Sequence, residues 1–205
     1  MATAKIKKRF FDVEIPLIDR TTQLQAFEIE ELEGRFIKYD LTRALRGKNA
    51  VLRTIVQVKD SKAIASPREI VLIPSFLKRL VRKGSNYVED SFSTETQDSL
   101  IRIKPFLVTR RKVSRAIRRA LRNKTKEEII NYSKTKNMED IAMDILRGNL
   151  QKNLSVKLKK IYPLSACEIK DFKVEKILKI NSEEKSKKSA VPKENQEAES
   201  ETKKE

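Results

Sequence analysis

The sequence predicts an α+β fold: an antiparallel set of strands with helices inserted before the last strand, the sheet curling toward a barrel with flanking amphipathic helices. Three observations carry this. Strand-like segments occupy both ends of the folded region, Phe10 to Ile15 near the start and Cys167 to Ile180 near the finish. Several further β-branched stretches lie between, above all Val51 to Val58 and Glu69 to Ile73. The second half carries a succession of amphipathic segments at helical spacing, from Thr109 to Lys160.

Taken in order, residues 1–9 form a basic arm with Lys5, Lys7, Lys8 and Arg9, expected to be disordered. Phe10 to Ile15 is a strand stopped by Pro16, and Leu24 to Glu30 alternates as a second. Gly34 to Tyr39 is a third. Asp40 suits the N-cap of a short helix, Leu41 to Arg46, closed by Gly47. Val51–Val58 and Glu69–Ile73 are the fourth and fifth strands, the latter ended by Pro74. Ser75 is the expected cap of a helix from Phe76 to Lys83, with Phe76, Leu77, Leu80 and Val81 on one face and Gly84 as its stop. Residues 86–94 and 99–108 read as a hairpin turning at Glu95 to Asp98. After Thr109 comes an amphipathic helix, then a capping box, Thr125 to Glu128, opening another through about Lys136. Met138–Arg147, stopped at Gly148, and Leu150–Lys160 are two more, and Ile161 to Leu164 breaks the run. The closing strand shifts phase near Asp171, which suggests a bulge. Residues 10–180 thus read as one domain. Residues 181–205 hold three apolar residues, six Lys and seven Glu, and are expected to be a disordered tail dispensable for assembly.

Composition excludes much chemistry. The chain has no histidine and one cysteine, Cys167, so the usual general base, His-dependent nucleophiles, internal disulfides and cysteine-cluster zinc sites are ruled out. The four glycines stand too far apart for a phosphate-cradling loop. A carboxylate site around Glu139, Asp140 and Asp144 is conceivable, but a solvated helix face explains the pattern better. Cys167 reads as a small core residue. No run of apolar residues is long enough to span a membrane, and no signal peptide precedes the domain. The chain reads as an intracellular binder without catalytic residues, cofactor, metal or small-molecule substrate.

What it binds is written in its charge. The 46 Lys and Arg outnumber the 29 Asp and Glu, a net charge of +17. Between Asp98 and Glu127 there is no acid over 28 residues, while eleven cations fall there. A field so one-sided repels itself unless an anion answers it, and nucleic-acid phosphate is the expected answer. The candidate contacts in this stretch are Arg102, Lys104, Arg110, Arg111, Lys112, Arg115, Arg118, Arg119, Arg122 and Lys124. At 100° per residue Arg111, Arg115, Arg118 and Arg122 make a stripe, with Val113, Ala116, Ile117, Ala120 and Leu121 opposite. Arginine suits bidentate phosphate contact. Lys78, Arg79, Arg82 and Lys83 add a second basic face, and the arm a third, with Phe10 and Phe11 at its root, better read as core than as base-stacking platforms. No zinc-finger, basic-zipper or helix-turn-helix pattern is visible, and dispersed basic elements fit a protein embedded in a large folded RNA.

The segments Ser75-Phe-Leu-Lys-Arg-Leu-Val-Arg-Lys-Gly-Ser-Asn-Tyr-Val88, Ile103-Lys-Pro-Phe-Leu-Val-Thr-Arg-Arg-Lys112, Lys159-Lys-Ile-Tyr-Pro-Leu164 and Glu168-Ile-Lys170 follow one another in an order and spacing that resembles the S-three-A-e family of archaeal and eukaryotic small-subunit ribosomal proteins. Phe10-Phe11 replaces the usual Trp-Tyr, and Gln97-Asp98-Ser99 stands where the family's hairpin turn is often Asp-Gly. The resemblance implies a cytoplasmic component of the small-subunit platform near the messenger-RNA exit, of archaeal type. It also implies a barrel-like core and, as partners, small-subunit ribosomal RNA, neighbouring platform proteins and messenger RNA at the exit. A free-standing RNA- or DNA-binding regulatory module is the alternative, and a metal-dependent nuclease using the few carboxylates a third.

Overall fold

A computed structural model describes residues 7–45, 47–59 and 62–177. Residues 1–6, with Lys5, and the tail from 178 onward lie outside them. Among the described residues nine strands form one mixed sheet, with four α-helices placed around its later half.

The first strands make a hairpin. β1 (Arg9–Ile15) pairs antiparallel with β2 (Arg20–Ala26), from Arg9 opposite Ala26 to Ile15 opposite Arg20. Pro16 ends β1 as expected, and Asp19 closes the turn in the left-handed region at φ 54°. The second strand therefore lies earlier than Leu24–Glu30. Its pairing is exhausted at Ala26, and the chain folds into a 3-10 turn, Glu30–Leu32, steadied by the Phe27 amide donating to Glu31.

β3 (Phe36–Asp40), β4 (Ala50–Lys59) and β5 (Lys62–Leu72) form an antiparallel meander. Between β3 and β4 the predicted helix is only a turn. Asp40 Oδ1 accepts from the backbone and hydroxyl of Thr42, but Leu41 is buried and pulls the chain into the core before a second turn can form. β5 is the hub of the sheet. One edge carries β4, while the other carries β1 at Val13–Ala63 and β9 (Leu164–Ile177) at Ile70–Phe172. The β1–β5 pair is parallel, so the sheet is mixed rather than purely antiparallel.

The expected barrel does not close. β2 and β3 are the two free edges of the five strands β2-β1-β5-β4-β3, and no backbone ladder joins them. They nevertheless approach, because the strands twist and coil. Arg20 donates to the Tyr39 hydroxyl at 2.8 Å, and Arg35 donates to the Gln25 carbonyl at 2.9 Å, so side chains bridge the seam.

The other half of the sheet is built on β8 (Ser99–Thr109), which pairs with β9 on one edge and with β6 (Tyr87–Glu89) and β7 (Phe92–Glu95) on the other. The bulge expected near Asp171 is present: Lys104 faces Asp171 and Pro105 faces Ile169, leaving Lys170 as the extra residue. Pro105 has no N–H to offer the ladder, so the irregularity falls where pairing is already broken. Ile101, Ile103 and Phe172 fill the core beneath.

α1 (Pro74–Leu80) starts with Pro at its first position and Ile73 as N-cap, so Ser75 does not cap it. It also ends earlier than expected. Val81 is extended, and Arg82 and Lys83 lie in the turn that follows. α2 (Arg115–Lys134) is one continuous helix. The expected break at Thr125 is absent, because the buried Thr125 hydroxyl donates to the Leu121 carbonyl one turn back instead of opening a new helix. α3 (Met138–Arg147) and α4 (Asn149–Leu158) are separated by Gly148, whose φ of 79° ends α3 at little cost. The three pack against β5, β7 and β9 through Leu121, Ile129, Ile141 and Leu150.

Candidate nucleic-acid interface

The expected basic residues meet two different fates. Arg102, Lys104 and Lys124 are neutralised: Arg102 pairs with Glu175 at 2.7 Å, Lys104 with Asp171 at 2.6 Å, and Lys124 with both Glu127 and Glu128 at 3.4 Å. Their partners lie on β9 or on the next turn of α2, out of view of a reading confined to the acid-free segment. By contrast Arg110, Arg111, Lys112, Arg115, Arg118, Arg119 and Arg122 form no ion pair among the described residues, and neither does Lys126, which the sequence reading left out. Lys126 sits over the Phe92 ring, 5.8 Å from its centroid. Lys78, Arg79, Arg82 and Lys83 are likewise exposed and without carboxylate partners among the described residues.

Two side chains bring the cationic groups together. Asn86 follows the turn after α1, and Thr109 ends β8. The Thr109 amide and hydroxyl both donate to the Asn86 carbonyl at 2.9 Å, and Asn86 Oδ1 accepts from the Val113 amide at 3.1 Å. The Thr109 hydroxyl is also within 2.8 Å of the Arg111 carbonyl. The loop Arg110–Lys112 is thereby fastened to Asn86, three residues after Lys83. Arg122, further along α2, reaches the Glu89 carbonyl at 3.4 Å. The α1 and α2 cations thus share one region of the surface. The arm does not join them. β1 runs parallel to β5, so Lys7, Lys8 and Arg9 precede the N-terminal end of β5, whereas α1 follows its C-terminal end. At about 3.3 Å per residue that separation is roughly 30 Å. Lys8 lies instead over Phe27, 5.5 Å from the ring centroid.

The stripe on α2 needs correction. The helix begins at Arg115, with the Ser114 hydroxyl accepting from the Ile117 amide, so Arg111 is in the loop before it. The buried row is narrow: Leu121, Thr125, Ile129 and Ser133, with Ile117 half-buried at its head. Arg118 projects only about 60° from Leu121, which leaves it half-buried, its Nε enclosed without a hydrogen-bond partner among the described residues. Ala116 and Ala120, expected in the core, are exposed. The outward cations are Arg115, Arg119, Arg122 and Lys126. Phe10 is also not core: it is 64% exposed, and Phe11 is half-buried against the core.

The residues weighed for chemistry are otherwise engaged. Glu139 and Asp140 are exposed in the first turn of α3. Asp144 accepts from Tyr132, Lys136 and Asn149. Cys167 is partly covered by the core, and burial pushes its thiol up to about 12, far from a reactive thiolate. Among the described residues no group of three or more His, Cys, Asp or Glu is placed to hold a metal, and no helix is long and apolar enough to cross a membrane.

Fold and surface together define a basic α+β protein whose cations on β8 are paired and whose cations from Arg110 to Arg122 are not, among the described residues. The chain belongs to the Ribosomal S3Ae family, whose model matches residues 4–177. Among its relatives is the small ribosomal subunit protein eS1 of Nanoarchaeum equitans, 28% identical over 179 residues, covering 82% of this chain and 89% of that protein. The eS1 proteins of Halorubrum lacusprofundi and Saccharolobus islandicus are 27% and 29% identical, covering 85% and 83% of this chain and 85% and 86% of their own lengths. All three sources are archaeal.

Proposed function

We propose that this chain is a structural, non-catalytic constituent of the small ribosomal subunit in the cytoplasm and binds small-subunit ribosomal RNA through the α1–α2 surface. One observation carries the RNA contact: eight cations between Arg110 and Lys126 have no carboxylate partner among the described residues, although every cation of β8 has one. Charge left unpaired on one region destabilises the free fold, and packed phosphates convert that repulsion into affinity. Family membership and the names of the archaeal relatives support the ribosomal placement. Docking at the platform near the messenger-RNA exit, with neighbouring proteins and messenger RNA at hand, is the finer part of the reading and follows the family resemblance. Lys7, Lys8 and Arg9 act as a second, separate contact, since β1 carries them away from α1.

Sedimentation of a tagged chain through a sucrose gradient at moderate salt tests this. Co-migration with the small subunit is expected. A chain that stays at the top of the gradient while still binding nucleic acid would be a free-standing regulatory module instead.

A further inference from the structure

Between α1 and β6 lies an apolar groove of about 570 Å³. Leu77 and Val81 form one wall, and Tyr87 with Phe106 the other. Tyr87 is 55% exposed and stacks on Phe106, ring centroids 5.8 Å apart at 23°, so a flat aromatic face is held open to the groove. The carboxylates of the groove are already paired: Glu89 with Lys170 at 3.2 Å, and Asp171 Oδ2 with Lys104 at 2.6 Å. Two cations near it are not paired among the described residues. Lys78 lines it from α1, and Arg122, outside the lining, reaches from α2 to the backbone carbonyl of Glu89, which lines it.

We propose that this groove takes one unpaired RNA nucleobase, stacked on Tyr87, with the phosphates flanking that nucleotide on Lys78 and Arg122. The inference rests on the RNA-binding reading above and names what that surface would recognise besides phosphate. A nucleotide combines a flat ring with anions on both sides, which is the complement of an aromatic groove between two unpaired cations. A protein side chain would fill the groove but leave both cations unanswered.

Fluorescence anisotropy of the full chain tests this with labelled oligocytidylate and an RNA duplex. Tyr87→Ala should weaken oligocytidylate binding roughly 5- to 100-fold and leave duplex binding within about twofold. Tyr87→Phe should restore the single-strand affinity. If Tyr87→Ala spares single-strand binding, or lowers single-strand and duplex binding alike, the groove is not a base site, and it falls to a protein partner. In that case duplex binding by the unaltered chain would leave the RNA reading standing. Failure to bind either RNA would instead remove that reading, and the proposal with it.

Discussion

Arg20 and Tyr39 join two strands that share no backbone hydrogen bond among the described residues: the guanidinium donates to the phenol at 2.8 Å across the gap between β2 and β3. With Arg35 on the Gln25 carbonyl, this makes the seam of a nearly closed five-strand unit dependent on side chains. The partners lie near the surface, so each bond is weakened by competing water.

Tyr39→Phe should therefore lower stability by only about 0.5–1 kcal/mol, seen as a lower denaturant midpoint with unchanged slope. The clearer readout is local. Hydrogen exchange should accelerate at β2 amides and not at β8 or β9. Uniform acceleration across the sheet would mean that the seam bond stabilises the whole domain.

How far the sequence disclosed this architecture depends on how local each determinant is. α3 was legible to the residue, because Met138, Ile141, Ala142 and Ile145 make one apolar face and Gly148 ends it. β4, and the irregularity at Lys170, were legible for the same reason. β2 was misplaced because its register is set by β1 across the turn at Asp19, while its own alternation is weak. α2 was split because Thr125 and Glu128 fit a capping box, and only burial of Thr125 shows that its hydroxyl turns back along the helix. The candidate interface was half legible. The acid-free segment pointed to the right region, but the acids that neutralise Arg102 and Lys104 lie about seventy residues on, brought alongside by the β8–β9 ladder. The anchoring by Asn86 and Thr109 has no sequence pattern of its own.

Tyr132, Lys136 and Asp144 form a partly buried network whose pH dependence can be worked out. Burial pushes the Asp144 carboxyl up, but hydrogen bonds from Lys136, Tyr132 and Asn149 outweigh it and hold it below its ordinary value of 3.8. A depressed carboxylate contributes stability that is complete above the unfolded value and lost as pH falls through the folded one. Lys136 is shifted upward, chiefly by its bond to Asp144, so it stays charged throughout the acid range, and the pair is lost on the other side only at strongly alkaline pH. Asp144→Asn should therefore cost about 1–2 kcal/mol at neutral pH. The gap between variant and parent should narrow as pH is lowered from about 5 to below 3.8. A gap constant over that window, measured by urea unfolding, would show that the carboxylate's charge does not matter there.

Binding to RNA should be steeply salt-dependent. If the eight unpaired cations between Arg110 and Lys126 each meet one phosphate, the slope of log K against log salt should be about −6 to −7. Arg102 and Lys104 should add little, because opening their pairs with Glu175 and Asp171 offsets what a phosphate would return. Arg102→Gln should accordingly leave the slope within about one unit of the parent. A parent slope shallower than about −3 would mean that charge is not the main source of affinity.

The decisive comparison separates the outer and inner faces of α2. Arg115 and Arg119 are exposed and unpaired among the described residues, whereas Leu121 is fully buried. Replacing both arginines with Glu removes two attractions and adds two repulsions. At about 0.1 M salt each lost phosphate contact is worth roughly tenfold, so binding should fall at least about a hundredfold. Stability should hold or rise slightly, because the cationic region repels itself less. Leu121→Asp should do the opposite and unfold the domain, since it buries a charge with no partner. Arg118→Glu differs from its neighbours. Its side chain is half-buried beside that row, so it should lose both RNA affinity and stability. Thermal melts and RNA titrations on the three variants would settle the orientation of the helix. If Arg115→Glu with Arg119→Glu unfolds the protein while Leu121→Asp stays folded, α2 has been placed with the wrong face inward.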